Sequence, residues 1–285
     1  MFEEFAIDCS SRSAEEIEAA TLASVAAHRL AYLRNFPIEV DRYTALLSRL
    51  GELCPNYAAG STKAAYALHE AINVVRCRAP QAEGVERVQE KAGSLPMHSG
   101  RSFARRRPLY LAMLMADPGW QGFEPGRNGE SLLVRWGDVL AALRERHPEH
   151  WAEDLRQLTG LAMSFPASHL DEAPSELPFL YLPGTPRYTP VADDCAARLP
   201  QDLGRLRKAA GEIEGGERWF EAVERFHAAA NDPVLQQVYL MRAGDVVIID
   251  NDRHGHGRQH VVAARTAADG RTEVNPRTIW SVNIQ

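Results

Sequence analysis

One stretch near the C-terminus decides the fold: Val246-Val247-Ile248-Ile249-Asp250-Asn251-Asp252-Arg253-His254-Gly255-His256-Gly257-Arg258. Its first five residues include a run of β-branched side chains, which is typical of a buried strand. The polar segment that follows delivers histidines just beyond that strand. We therefore predict a β-rich core, with His256 just beyond the end of one of its strands, where rigid elements are able to hold a metal ligand.

The composition is that of an ordinary globular protein. The chain has 285 residues, of which 45% are hydrophobic and 25% are charged. A chain of this length buries a substantial core. Its formal charge of -6 argues against a general affinity for nucleic acid, which requires a basic surface. We therefore expect a small-molecule substrate and no polymeric nucleic acid as a partner.

The N-terminus and the cysteines fit a cytoplasmic protein. The first five residues are acidic and lack the basic-then-apolar pattern of a signal peptide, and we find no apolar stretch that could span a bilayer. The cysteines (Cys9, Cys54, Cys77 and Cys195) are widely separated, so we expect them to be reduced and partly buried. We expect no membrane partner, and the sequence leaves the oligomeric state open.

Outward from the first stretch, the chain reads as short strands with helices on either side. Strands are predicted at about 70–78, Leu109–Met115, Ser131–Val134, Gln236–Met241, His260–Ala264 and Thr278–Asn283. Helices are predicted at 13–34, 40–51, 136–146 and 200–230, the last with a break at Gly215-Gly216. Residues 119–129 are predicted as loop, and 165–195 as loops and short strands. We predict one domain over residues 1–285, mainly β, with the N-terminal helices of about 13–51 packed on the β core.

Four motifs together resemble one enzyme superfamily. Asn251-x-Arg253-x-x-His256-Gly257-Arg258 resembles the distal-histidine motif of taurine-dioxygenase-like and clavaminate-synthase-like oxygenases. Arg105–Leu111 resembles the segment after their first iron ligand, Asn128–Leu133 their Gly-Gly-Glu-Thr-Leu element, and Met241–Val247 their Leu-x-x-Gly-Asp lead-in. The resemblance runs from about residue 30 to the C-terminus. It implies an Fe(II)/2-oxoglutarate-dependent enzyme whose core is a double-stranded β-helix, also called a jelly-roll or cupin-like core.

The resemblance implies that His98 and His256 are the two iron ligands. Two histidines and one carboxylate are the usual protein ligands of such non-haem iron sites. His254 competes with His256, because both point to the same side if the strand continues through them. The register of the motif favours His256, and His260 is then a pocket or surface residue.

The resemblance also implies an arginine and a hydroxyl group for 2-oxoglutarate. A guanidinium group suits the far carboxylate because its planar fork makes two charge-assisted hydrogen bonds. Arg277, at the start of the last predicted strand, fits the position of the family arginine. Arg271 is the alternative, since it is closer to the usual spacing from the distal histidine. Ser131 matches the family threonine whose hydroxyl supports the same carboxylate, and serine keeps that donor.

Gly100 stands where the hydroxylating members of the resembled family carry an aspartate or glutamate. Glycine cannot ligate iron, so one position stays open, and in the halogenase branch chloride binds there. The resemblance then implies Fe(II), 2-oxoglutarate, O2 and chloride as cofactors, with chlorination of an unactivated carbon by radical rebound. Three alternatives remain: a hydroxylase whose carboxylate comes from Glu130 or Asp252, a binding protein without chemistry, and a different first ligand.

Arginines are abundant around the predicted site and suggest the substrate. They are Arg76, Arg78, Arg101, Arg105, Arg106, Arg107, Arg253 and Arg258. Because guanidinium groups bind phosphate and carboxylate, we predict a free, polar, anionic metabolite. A nucleotide is slightly favoured over an amino acid, with Arg101 and Arg253 as candidate substrate-binding residues.

Overall fold

The computed structural model describes residues 2–56, 67–77, 92–102, 107–165, 175–182 and 195–285. Its strands are β1 (Ala6–Asp8), β2 (Leu30–Arg34), β3 (Asn73–Arg76), β4 (Gly93–His98), β5 (Tyr110–Asp117), β6 (Ser131–Arg135), β7 (Ala162–Phe165), β8 (Ser175–Pro178), β9 (Leu180–Tyr181), β10 (Ala196–Ala197), β11 (Gln237–Tyr239), β12 (Val246–Asp250), β13 (His254–Val261), β14 (Ala264–Thr266), β15 (Thr272–Val274) and β16 (Thr278–Ile284). Its α-helices are α1 (Ala14–His28), α2 (Val40–Ser48), α3 (Trp136–Arg146), α4 (Trp151–Gly160), α5 (Gly204–Ala210) and α6 (Gly216–Ala230).

Two sheets form the core of the described chain. The larger sheet has six strands in the order β1-β2-β12-β5-β16-β3, and the smaller has four in the order β11-β6-β13-β4. Apart from the parallel pair β1–β2, the pairings within these two sheets are antiparallel. Most neighbouring strands are far apart in the sequence, so long-range pairing brings together the segments that carry the predicted motifs.

The sheets and helices form layers. Side chains of both sheets, including Leu111, Val247 and Leu133, share one buried cluster between them. Helices α1 and α2 belong to a second cluster with the outer face of the larger sheet, and α3 to α6 belong to a third with the smaller sheet. The prediction of a mainly β protein with flanking helices is therefore confirmed. Within the described residues the two sheets do not close into a barrel.

The predicted first helix is too long. Helix α1 ends at His28, because Arg29 adopts the left-handed backbone conformation with a φ of 58°. The next five residues form β2, which lies between β1 and β12 in the larger sheet. Pairing with two strands therefore overrides the helical pattern read from the sequence. The second helix also ends before Gly51, and α4 was not predicted.

Strand β13 begins six residues earlier than predicted, at His254 instead of His260. Glycines at 255 and 257 weaken the strand pattern in the sequence, but close packing requires both of them. A Cβ atom on Gly255 would lie 2.1 Å from the Trp136 ring, and one on Gly257 would lie 2.8 Å from the Leu95 carbonyl oxygen. The glycines let β13 approach α3 and β4 closely.

Two smaller predictions can be compared with the structure. All four cysteines are free and buried, as expected for thiols that do not form a disulfide framework. In the part of the chain that is described, no helix has the length and apolar character needed to cross a membrane.

Candidate metal centre

His98 and His256 face each other across two neighbouring strands. His98 ends β4, and its direct partner on the antiparallel strand β13 is His256. Directly opposed residues project from the same face of a sheet, and the centroids of these two rings are 4.1 Å apart. The structure thus brings together the two predicted iron ligands, which are far apart in the sequence.

Both rings are suited to bind a metal in their neutral form. Burial lowers the pKa of His98 to about 4, and it lowers the pKa of His256 well below its usual value, with a further contribution from His98. Nδ1 of His98 lies 2.9 Å from the carbonyl oxygen of Pro96, which can only accept, so Nδ1 carries the proton and Nε2 holds a lone pair. Nδ1 of His256 is buried without a hydrogen-bond partner. A lone pair and an orphaned nitrogen on opposed rings fit a divalent metal ion.

The competing histidines lie elsewhere on β13. His254 pairs with Arg135 of β6, and its Nδ1 lies 3.1 Å from the carbonyl oxygen of Asp250. His260 is half-buried, and its carbonyl oxygen accepts a hydrogen bond from the backbone of Gly129. Of the three histidines on β13, His256 is the one paired with His98.

No carboxylate joins the two histidines within the described residues, where no group of three His, Cys, Asp or Glu side chains could hold a metal. The carboxylate of Glu130 accepts hydrogen bonds from the backbone of Gly126 and from Asn128. Asp252 forms an ion pair with Arg107. In the described residues, neither Glu130 nor Asp252 joins His98 and His256 in a group of three possible ligands.

Asn251 fills the space beside Gly100. Its Oδ1 accepts a hydrogen bond from the Gly100 amide at 2.8 Å, and its Nδ2 donates to the carbonyl oxygens of Gly100 and Pro108, both at 3.1 Å. A Cβ atom on residue 100 would lie 2.9 Å from that Oδ1. Because three hydrogen bonds hold the buried Asn251 side chain in place, a larger residue at position 100 requires it to shift.

The structure separates the two candidate arginines for 2-oxoglutarate. Arg271 lies in the turn between β14 and β15, where its side chain is 84% exposed and forms an ion pair with Asp269. Arg277 is buried just before β16, and its Nη2 donates to the carbonyl oxygen of Gly129 at 3.2 Å. Arg277 therefore lies in the interior, and Arg271 does not.

The surroundings of Arg277 are positively charged. Burial, together with the neighbouring guanidinium of Arg258, lowers its pKa to about 10. Ser131 lies directly across from Arg258 on β6, and across from Tyr239 on the other side. Among the described residues, no carboxylate forms an ion pair with Arg277. A buried guanidinium in this state favours an anionic ligand.

Most of the other described arginines of the predicted set bind groups of the fold itself. Arg107 binds Asp252 and the Ala197 carbonyl, Arg253 lies 3.5 Å from Asp250, Arg258 binds the Gly93 carbonyl, and Arg101 binds the Pro55 carbonyl. Arg76 is exposed at the end of β3, while Arg78, Arg105 and Arg106 lie outside the described residues. The abundance of arginine is therefore weaker support for a phosphate-bearing substrate than the sequence suggested.

Gln201 is a residue of the site that the sequence analysis missed. Its Nε2 lies 2.8 Å from Nε2 of His98. The residue follows a segment whose Leu199 carbonyl oxygen accepts a hydrogen bond from the backbone of Ser99. No motif marks Gln201, and only the tertiary contact with the loop after His98 reveals it.

The model of the taurine catabolism dioxygenase TauD, TfdA family matches residues 3–273. The chain belongs to this family. It is an oxidoreductase of the Fe(II)/2-oxoglutarate-dependent oxygenase type, which also uses O2. Among functionally curated proteins, none matches this TauD/TfdA-family chain in sequence.

Solved structures share its fold at low sequence identity. An asparagine oxygenase is 13% identical with a TM-score of 0.62, covering 98% of this chain and 92% of that one. The same kind of enzyme, solved with Fe(II), 2S,3S-3-hydroxyasparagine and succinate, is 16% identical with a TM-score of 0.60, covering 98% and 93%. A taurine dioxygenase from Burkholderia xenovorans is 13% identical with a TM-score of 0.57, covering 98% and 84%.

Proposed function

We propose that this TauD/TfdA-family protein is a halogenase that chlorinates an unactivated carbon of a small polar metabolite. The observation that carries the proposal is the pair of neutral, opposed histidines with no carboxylate beside them in the described part of the chain. His98 and His256 would hold Fe(II), and the position that Gly100 leaves open would take chloride. We also propose that the two sheets form the double-stranded β-helix implied by the sequence.

The proposed reaction balances with the family's usual reactants. The substrate R–H, chloride, a proton, O2 and 2-oxoglutarate give R–Cl, succinate, CO2 and water. Bound iron supplies the one-electron chemistry that O2 requires, and the protein supplies binding and orientation. The C–H bond breaks, the C–Cl bond forms, 2-oxoglutarate loses CO2 as it is oxidised, and O2 is reduced.

Arg277 and Ser131 would bind the far carboxylate of 2-oxoglutarate. The Arg277 guanidinium is buried next to the cationic Arg258, so an incoming carboxylate would relieve a repulsion as well as form charge-assisted hydrogen bonds. Ser131 stands opposite Arg258 and offers a hydroxyl donor. Because Arg277 and His98 are buried, water would be kept away from a co-substrate bound between them.

Asn251 would keep the halide position free of protein ligands. Its side chain holds the Gly100 backbone through two hydrogen bonds and occupies the space that a side chain at position 100 would enter. Residue 100 therefore contributes backbone only. This arrangement supports an exogenous anion, instead of a protein carboxylate, as the third group on the metal.

The substrate would be a free metabolite with an anionic group. The sequence slightly favours a nucleotide, but Arg107 and Arg253, which contributed to that preference, face Asp252 and Asp250. The relatives of known structure include an enzyme solved with a hydroxylated asparagine. A substrate screen should therefore include free amino acids and nucleotides.

Hydroxylation is the second candidate function. It would need water instead of chloride at the open position, with the same histidines and the same 2-oxoglutarate site. The likeness to an asparagine oxygenase favours it, since that relative was solved with a hydroxylated amino acid and succinate. The two candidates differ in whether a halide binds the metal.

An anaerobic chloride titration of the Fe(II)–2-oxoglutarate complex, followed by its visible charge-transfer band, separates the two. A halogenase should show a saturable shift of the band, and the shift should disappear in Gly100→Asp. Gly160→Asp is the matched control, because no atom lies within 4 Å of the Cβ position at the exposed end of α4. A wild-type band that ignores chloride would contradict the halogenase and favour the hydroxylase.

A further inference from the structure

We propose that Gln201 donates a hydrogen bond to the anion that takes the open position on the metal. The proposal rests on the metal site at His98 and His256, and it makes Gln201 an anion-binding residue instead of a metal ligand. It goes beyond the resemblance, which involves no residue between Asn128–Leu133 and Met241–Val247.

The direction of the hydrogen bond follows from the chemistry of the Gln201 amide. An amide nitrogen can only donate, so Nε2 of His98, 2.8 Å from Nε2 of Gln201, is the acceptor. The amide N–H of Gln201 is therefore aimed at the lone pair that a metal ion would use.

The backbone around Gln201 is tied to the loop that contains Gly100. The carbonyl oxygen of Leu199 accepts hydrogen bonds from the Ser99 amide at 2.8 Å, the Ser99 hydroxyl at 3.3 Å and the Ser102 hydroxyl at 3.2 Å. Both serines are buried. The donor and the position that lacks a carboxylate are therefore held together by the same short loop.

Metal binding would change the hydrogen bonding of the Gln201 amide. Once a metal ion occupies the lone pair of His98, the half-buried Gln201 amide loses its acceptor, and an unpartnered donor is unfavourable. An anion bound beside His98 would give this amide a new acceptor in place of the ring nitrogen that it contacts now.

Several other donors of the described part of this loop are already used. The Gly100 amide donates to Asn251, and the Ser99 amide and the Ser99 and Ser102 hydroxyls donate to Leu199. Gln201 is thus the donor that metal binding releases. Because the side chain is neutral and offers an N–H group, the ligand it suits is a small monovalent anion such as chloride.

Anion binding to the Co(II)-substituted full-length protein tests the role of Gln201, with the visible Co(II) spectrum as the signal and azide and chloride as the probes. Gln201→Met keeps the length of the side chain and removes the donor. We expect it to weaken azide binding about tenfold, while Co(II) affinity stays within about threefold of wild type. Gln201→Glu, which adds a negative charge, should weaken azide binding further. Gln259→Met is the control, since residue 259 is three positions from His256 on β13 and lies outside the site.

The outcomes distinguish this proposal from the proposed function. Equal azide affinity in wild type and Gln201→Met overturns the role of Gln201, and so does a loss of Co(II) affinity of more than about tenfold, which would make Gln201 a ligand. Azide binding without chloride binding in wild type, weakened by Gln201→Met, supports Gln201 and overturns the halogenase. Folded wild-type protein that binds no Co(II) overturns both.

Discussion

Two parts of the candidate site, centred two residues apart on β13 at His256 and Arg258, differ in charge. Around His256 the groups are neutral, and no carboxylate joins them in the described chain. Around Arg258 the groups are cationic, with Arg277 buried beside it. Both parts would favour an anion: a metal-bound ion near His256 and a carboxylate of 2-oxoglutarate near Arg258. In the described chain, the carboxylate is missing from the region around His256, which we call the metal part. The region around Arg258 and Arg277, which we call the cationic part, keeps its buried charges. General degeneration of the site would have affected both.

Removing a metal ligand should have the largest effect. We expect His98→Ala and His256→Ala each to lower Fe(II) affinity by at least about a hundredfold, because each would delete one of the two imidazole donors that we propose for the metal. Fe(II) binding, measured by calorimetry under anaerobic conditions, checks this. His260→Ala should bind Fe(II) as wild type does, and an equal loss in that control would break the assignment of the metal part.

Changing the buried arginine should come next. We expect Arg277→Gln to raise the Kd for 2-oxoglutarate about a hundredfold, since a buried charge pair contributes on the order of 2–5 kcal/mol to binding. Arg271→Gln is the matched control and should stay within about twofold, because an exposed ion pair contributes little. Binding can be followed by the charge-transfer band of the Fe(II) complex. If Arg271→Gln raised the Kd for 2-oxoglutarate more than Arg277→Gln did, Arg271 would be the arginine that binds the co-substrate.

Close packing next to the metal part gives a prediction about stability. We expect Gly255→Ala to lower the free energy of unfolding by about 1–3 kcal/mol, because its Cβ atom would lie 2.1 Å from the Trp136 ring. Urea unfolding followed by circular dichroism measures this. Gly160→Ala has open space around its Cβ atom and should cost nothing. Equal stability of both variants would show that the Trp136 side chain shifts without a measurable loss of stability.

The hydroxyl group in the cationic part should contribute less than the arginine. We expect Ser131→Ala to raise the Kd for 2-oxoglutarate about fivefold, in line with the loss of about 1 kcal/mol for one hydrogen bond. Ser131→Thr keeps the hydroxyl and should bind the co-substrate as wild type does. If alanine and threonine behave alike, the hydroxyl has no part in binding.

A pH dependence of stability is expected from Asp250, the last residue of β12. Burial, together with the neighbouring charge of Asp252, raises its pKa from the ordinary 3.8 to about 6. A raised folded-state pKa contributes stability below about pH 4 that is lost as the pH rises to about 6. Asp250→Asn should remove this loss, so that its unfolding free energy changes less than that of wild type over this range. Urea unfolding at several pH values checks the slope, and parallel slopes would contradict the assignment.

Much of the site was readable from the sequence because its residues sit in local motifs. The stretch from Val246 to Arg258 contains the motif that made His256 a candidate ligand, and its β-branched run predicted β12 correctly. The pairing of β4 with β13 then set His98 opposite His256. Helix α1 was predicted too long and β13 too short, because local propensity does not include the partner strands of β2 or the close packing at Gly255.

The sequence by itself identified the family and singled out His98, His256 and the missing side chain at residue 100, since each depends only on residue type and spacing. Tertiary structure separated Arg277 from Arg271, because burial depends on the whole fold and Arg271 lies in an exposed turn. It also showed that Glu130 and Asp252 bind other residues, that Asn251 lies beside Gly100 and that Gln201 lies beside His98. Those roles depend on which groups meet across long sequence separations, and hydrogen-bond partners of that kind leave no pattern in the chain.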